Sequence, residues 1–276
     1  MDRKYLWKMK KNIRHGTKWN RRCVSCLIPS LLGISVFFML PYFRVVYFSV
    51  INNQFQRQFV GFRNFFEVAE NPYFRLAMKN SLLLIVIGVP LLLLLSLMLS
   101  FLLAFSMRKY AFLRDMFVFP VLVPTAAIVP VWRDFFPAPE SALPVYALFV
   151  WKNLGFCIIL LTAALVTIDK VIFEAARLEG AGALRMHLQI STPLILPAFF
   201  FTLLLAVMNT FKLFKESFLF YGGKYPPDHS YTLQFYMNNN FLKFDYQALA
   251  AACVMTSVLV VGLVTVGLLL QRRVQS

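Results

Sequence analysis

The sequence predicts an all-α polytopic membrane protein with six transmembrane helices. Hydrophobic types make up 59% of its 276 residues and charged types only 14%. Soluble domains average about 45–50% and about 25%. The apolar residues fall in runs of near 20, enough at roughly 1.5 Å per residue to cross a hydrocarbon core of about 30 Å. The polar stretches between them are too short to hold a soluble domain. Disorder, collagen and coiled coil are excluded, and a soluble enzyme does not fit. The net charge of +16 does not point to nucleic acid, because nine of the 28 Lys and Arg lie in residues 1–26, beside the first apolar run.

The first crossing is expected at 27–50, with a bend or an early end caused by Pro41 and Arg44. Those residues, and the lack of a small-residue cleavage pattern, favour a retained span over a cleaved leader. The second, 81–105, is unbroken leucine from Leu91 to Leu95. The third, 115–132, contains Pro120, Pro124 and Pro130, so kinks are expected. The fourth, 146–168, carries Lys152 near its outer end, where the ammonium is expected to snorkel. The fifth, 194–211, opens with Pro193 and Pro197 in its first turns, where a missing amide costs least. The sixth is 249–270. Residues 1–26 form a basic tail, and 27–273 form one transmembrane domain.

Orientation follows from the basic residues. Segments on the N-terminal side (1–26, 106–114, 169–192 and 271–276) hold 17 Lys and Arg, against nine in 51–80, 133–145 and 212–248. The positive-inside rule puts both termini in the cytoplasm. Without the tail the score is eight against nine, so the tail decides the orientation.

The segment 169–192 stands apart from the other loops. Asp169 can cap a helix in which Val171, Ala175 and Leu178 share one side, while Glu174 and Arg177 can pair on the other. Gly180 and Gly182 permit a tight turn. Leu184, Leu188 and Ile190 then give a second apolar patch before Pro193. Helix, turn and helix present a hydrophobic ledge beside a carboxylate, a shape suited to a groove on a partner protein.

Glu174-Ala175-Ala176, three residues, Gly180, nine residues, Ile190, one residue, Thr192 and Pro193 resemble the EAA loop, with Thr192 where Leu is usual and Glu179 where Asp is common. The chain thus resembles the inner-membrane permease subunit of a binding-protein-dependent ABC importer of the carbohydrate type. Phe59-Val60-Gly61-Phe62-Arg63-Asn64-Phe65 resembles an outer-loop stretch of the first of the two permeases in such importers. Trp151-Lys152-Asn153-Leu154-Gly155-Phe156 and Phe211-Lys212-Leu213-Phe214 are further points of likeness. At Gly222-Gly223-Lys224 the usual proline is displaced to 226 and 227.

The resemblance implies a coupling helix docked in a cytoplasmic ATPase. Glu174 would be its polar contact, Ala175 and Ala176 would allow close approach, Gly180 would be the hinge, and Ile190 and Pro193 would complete the motif. It also implies a second permease subunit, two ATPase subunits and an extracytoplasmic solute-binding protein, besides surrounding lipid. The solute implied is a sugar or oligosaccharide. The alternatives are glycerol phosphate, a peptide or a polyamine on the same architecture.

No chemistry is visible within the chain. It has no Gly-rich phosphate loop followed by Lys and Ser or Thr, so ATP hydrolysis belongs to other subunits. His15, His187 and His229 lie far apart, and the four Cys form no ligand cluster, so neither metal nor cofactor is expected. Carboxylates are nearly absent from the expected spans, which argues against a proton-relay carrier. Stacking on aromatic faces and hydrogen bonds from amides suit a sugar. The candidates for the solute path are Trp132, Trp151, Asn153, Asn209, Phe211 and Phe214. Asn209 is the best placed, since an amide among apolar residues needs a partner.

Overall fold

The computed structural model describes residues 21–105, 111–137, 140–223 and 225–275. Most of the basic tail lies outside the described residues, as does most of the 106–114 connection. Among the described residues the regular structure is helical, joined by turns and loops, with one isolated antiparallel bridge between Ile51 and Phe59. Five helical stretches are long and apolar enough to cross a membrane: Leu27–Ser49, Pro72–Ala104, Leu143–Val166, Leu196–Tyr221 and Tyr246–Arg273.

The first crossing joins α1 (Arg21–Ile34) to α2 (Leu40–Ser49) through a π-helical stretch, Ser35–Met39. It therefore runs through Pro41 to Ser49 instead of ending early. A helical proline clashes with the carbonyl four residues before it. Here that carbonyl belongs to Phe37, inside the wide π turn. The same device recurs in α4 (Pro72–Leu83), Leu84–Gly88 and α5 (Val89–Phe105), where the π stretch precedes Pro90. Asn71 caps this long second crossing, its Oδ1 accepting from the amides of Tyr73 and Phe74 at 2.9 and 3.4 Å.

The third expected crossing is broken, not merely kinked. It divides into α6 (Ala111–Leu122) and α7 (Thr125–Phe135) at Val123 and Pro124. Pro124 lacks an amide donor and disfavours helical backbone at the residue before it. Neither piece alone is long enough to span a bilayer. The fourth crossing is α8 (Leu143–Val166), which packs against α5, α6 and the fifth crossing.

The fifth crossing is α12 (Leu196–Thr210) followed, after a short turn, by α13 (Phe214–Tyr221). It extends past the expected end at 211. The last crossing, α15 (Tyr246–Gln275), follows a short helix, α14 (Leu233–Leu242).

The main core gathers Leu84, Leu92, Leu148, Phe149, Ala206 and Leu213 from the second, fourth and fifth crossings. A second core joins Phe74 and Ala77 to Leu233, Phe235 and Ala251. Asn80 ties this second core to the loop before α14, its Nδ2 donating to the carbonyls of Asp228 and Tyr231 at 2.6 and 2.9 Å. Ser81 Oγ accepts from the amide of Leu233 at 3.0 Å. Asn64, in α3 (Arg63–Glu70), donates to the carbonyls of Ser49 and Ile51, both at 2.9 Å, and so fixes the C-terminal end of the first crossing.

Candidate functional site

Two places collect the functional side chains. One is the segment after α8. Asp169 Oδ1 accepts from the amide of Val171 at 3.0 Å and starts α9 (Lys170–Leu178). Gly180 turns the chain with φ +79°, where L side chains are strained. Then follow α10 (Ala183–Arg185), a third π stretch (Met186–Ser191) and α11 (Thr192–Leu194). The π stretch again precedes a proline, Pro193.

Phe173, Ala176 and Met186 are buried together, with Ile168, Ala181 and Ile190 against them. The loop therefore has its own small core. Ala176 faces that core, while Glu174 and Ala175 face out. The two alanines of the motif have different surroundings, which their adjacency in sequence had hidden. Pro193 is exposed in the first turn of α11. Leu178 is 91% exposed and Leu184 73%, both uncovered on this chain, whereas Ile190 of the expected second patch turns toward the small core. Glu174 and Arg177, spaced for an ion pair, make none among the described residues.

Thr192 Oγ1 donates to the carbonyl of His187 at 2.8 Å, and Ser191 Oγ donates to that of Met186 at 3.3 Å. Both bonds reach back five residues, the spacing of a π turn. Thr192, the departure from the usual Leu, thus has a local task. The His187 ring stacks on Phe101 of α5, centroids 4.3 Å apart and planes at 20°. Burial lowers the His187 pKa below its ordinary 6.5.

The second place is a cavity of about 340 Å³ between α8 and the fifth crossing. Asn153, Asn209, Lys152, Lys212 and Glu216 line it, among Phe149, Phe156 and Leu205. Asn209 Nδ2 donates to Asn153 Oδ1 at 2.9 Å, and Asn153 Nδ2 donates to the Phe149 carbonyl at 2.8 Å. Of the six expected path residues, these two are brought together at the cavity.

The other four have packing partners. Trp132 and Trp151 stack on each other at 5.8 Å, and Trp132 Nε1 donates to the Pro144 carbonyl at 2.9 Å. Phe211 packs against both cores. Phe214 meets the Phe235 ring edge-on at 5.0 Å.

Lys152 does not snorkel. Its ammonium donates to Glu216 Oε1 and, at 2.6 Å, to Thr125 Oγ1. Thr125 in turn donates to the same Glu216 oxygen at 3.0 Å. The side chains of Lys152 and Glu216 are only 20% and 10% exposed. Glu216 Oε2 is buried with no hydrogen-bond partner among the described residues. A carboxylate thus does sit within a membrane-crossing stretch, because the fifth crossing continues through α13. The arrangement offers amide donors and acceptors, a hydroxyl and charged groups to a hydroxyl-rich solute.

The family described as "Binding-protein-dependent transport system inner membrane component" matches residues 96–276. The sulfoquinovosyl glycerol transport system permease protein SmoG of Agrobacterium fabrum is 26% identical over 266 residues, covering 85% of this chain and 86% of that protein. The sn-glycerol-3-phosphate transport system permease protein UgpA of Pectobacterium atrosepticum is 25% identical over 271 residues, 87% of this chain and 90% of that one. The arabinooligosaccharides transport system permease protein AraP of Bacillus subtilis is 26% identical over 283 residues, 87% and 86%. A crystal structure of a bacterial ABC transporter that imports the acidic polysaccharide alginate has a chain of the same fold. Its TM-score is 0.75 at 19% identity, covering 99% of this chain and 100% of that one.

Proposed function

The chain belongs to the family of binding-protein-dependent transport system inner membrane components, and on that premise we propose that it is a permease subunit of an ATP-driven importer of a sugar or oligosaccharide. The observation that carries this reading is the uncovered ledge of Leu178 and Leu184 beside Glu174, on a loop with its own buried core. In this reading residues 27–273 form the transmembrane domain, the tail at 1–26 and both termini face the cytoplasm, and the ledge docks in an ATPase. Two such subunits sit beneath this chain and a second permease, and ATP is hydrolysed there.

Because Phe173, Ala176, Met186 and Ile190 pack together, the loop moves as one body. Displacing the ledge pulls on α12 through Pro193, and on α5 through the His187–Phe101 stack. Coupling needs contacts that differ between two global states, which ATP-driven closure of the ATPase pair supplies. An extracytoplasmic binding protein delivers the sugar, and Asn153 and Asn209 meet its hydroxyls. The likeness to SmoG, a sulfoquinovosyl glycerol permease, and to AraP, an arabinooligosaccharide permease, supports the sugar class.

The test is the assembled complex in vesicles, with a sugar panel read as uptake and stimulated ATP hydrolysis. Glu174→Lys and Gly180→Pro are each expected to insert normally and abolish both readouts. Normal uptake in both variants refutes the coupling role.

Lys212 favours a second reading. It is an exposed cation within a membrane-crossing stretch, lines the cavity and has no ion-pair partner among the described residues. An anionic solute such as glycerol phosphate would occupy it. Uptake of glycerol phosphate with no uptake of neutral sugars decides for this reading.

A further inference from the structure

The face opposite the loop 169–192 carries a second cavity, about 350 Å³, that none of the path residues touches. Two outer segments far apart in sequence build it. Asn71 and Tyr73 come from the start of α4, and Tyr225, Asp228 and Tyr231 from the loop before α14. Lys243, at the end of α14, completes the rim.

The floor is fixed. Tyr231 is 7% exposed, its hydroxyl accepts from Asn239 Nδ2 at 3.2 Å, and its backbone carbonyl is held by Asn80. Tyr73 meets the Tyr231 ring edge-on at 6.2 Å. The Tyr221 and Ser230 hydroxyls share a 2.6 Å hydrogen bond behind the loop. The rim is the reverse. Tyr73 and Tyr225 are 64% and 72% exposed.

The polar groups at the rim are unspent. Asn71 uses its carbonyl oxygen to cap α4, and among the described residues its NH₂ bonds to no protein group. Among the described residues, the Asp228 carboxylate, the Lys243 ammonium and the Tyr73 and Tyr225 hydroxyls bond to no protein group. Aromatic rings beside unpaired donors and acceptors suit a ligand with apolar ring faces and many hydroxyls. One carboxylate and one ammonium balance, so the rim does not select a strongly charged ligand. A fixed floor means little ordering cost on binding.

We propose that this cup is a carbohydrate subsite, distinct from the cavity at Asn153 and Asn209, that holds a sugar unit on the outer face during transfer from the binding protein. The proposal rests on the sugar reading above. A sugar ring lies against Tyr73 or Tyr225, and Asn71 and Asp228 take its hydroxyls.

The test uses the purified complex without its binding protein. Saturation-transfer NMR is run with maltotriose, cellotriose, xylotriose and an alginate trisaccharide as probes. At least one probe is expected to receive saturation from the wild type and to bind about tenfold more weakly to the Tyr73→Ala/Tyr225→Ala variant. Both tyrosines are exposed, so basal ATP hydrolysis of the double variant should match wild type and report an intact fold. Silence from all four probes overturns the cup, as does an unchanged signal in the double variant. Weaker capture of the purified binding protein by the double variant, with sugar binding unchanged, reassigns the cup to a protein contact. Vesicle uptake of the same four sugars reads the transport function separately. Uptake with a silent cup sinks the subsite alone, and a responding cup with no uptake sinks the transport reading alone.

Discussion

Lys152 and Glu216 form an ion pair inside a predominantly apolar bundle. Removing two charges from water costs several kcal/mol each, and the attraction repays this only with good geometry and further hydrogen bonds. Thr125 supplies one such bond to each partner. Losing one partner leaves the other charge buried alone, so Lys152→Met is expected to destabilise the protein by about 3–5 kcal/mol. Lys152→Met/Glu216→Leu should recover much of that loss. Thermal unfolding of the solubilised protein through the double-mutant cycle checks this. If the single and double variants unfold alike, the pair has no energetic role. The pair also has a position. It sits at the cavity wall beside Asn153 and Asn209, the residues proposed to meet the solute, so in that proposal changes there move solute affinity along with stability.

Among the helices, three π stretches end two residues before a proline: Ser35–Met39 before Pro41, Leu84–Gly88 before Pro90, and Met186–Ser191 before Pro193. In each the carbonyl that a proline ring would strike lies within the widened turn, which relieves that clash and lets the helix run on. In the third, Ser191 and Thr192 occupy carbonyls reached five residues back. Beside them, His187 is held below its ordinary pKa by burial. The sign is fixed by proton counting. Between the lowered value and 6.5 the unfolded chain binds more protons than the folded one. Stability should therefore be flat above 6.5 and fall as pH drops through that window. His187→Phe, which keeps a ring against Phe101, should remove this slope, as melting temperature against pH would reveal. The outer loop depends likewise on Asn80. Asn80→Ala strips the donor from two carbonyls at a cost of about 1–3 kcal/mol. Limited proteolysis across 222–232 should accelerate, and an unchanged cleavage rate would remove Asn80 from that role.

For the molecule as a whole, the apolar runs made the class legible. The spacing of Glu174, Gly180, Ile190 and Pro193 made the family legible, because both signals are local. Contacts across the bundle were not. From sequence Lys152 reads as an end-of-helix cation because its partner lies 64 residues away, beyond the end at 211 that local hydropathy gives the fifth crossing. Aromatic composition alone cannot show that Trp132 and Trp151 stack on each other, since it does not distinguish a ring facing a cavity from one facing another ring. Pro124 was expected to bend a helix, and it divides one. The outer cup was invisible because Asn71 and Tyr231 come from different loops. The first crossing shows what such anchoring leaves undone. From residue 27 to 44 its side chains are uncovered apart from Gly33, while its outer end is secured by Asn64 and α15. A rod clamped at one tip bends under a load at the other, so strain applied near residue 30 dissipates along its length before reaching the Asn153–Asn209 chamber.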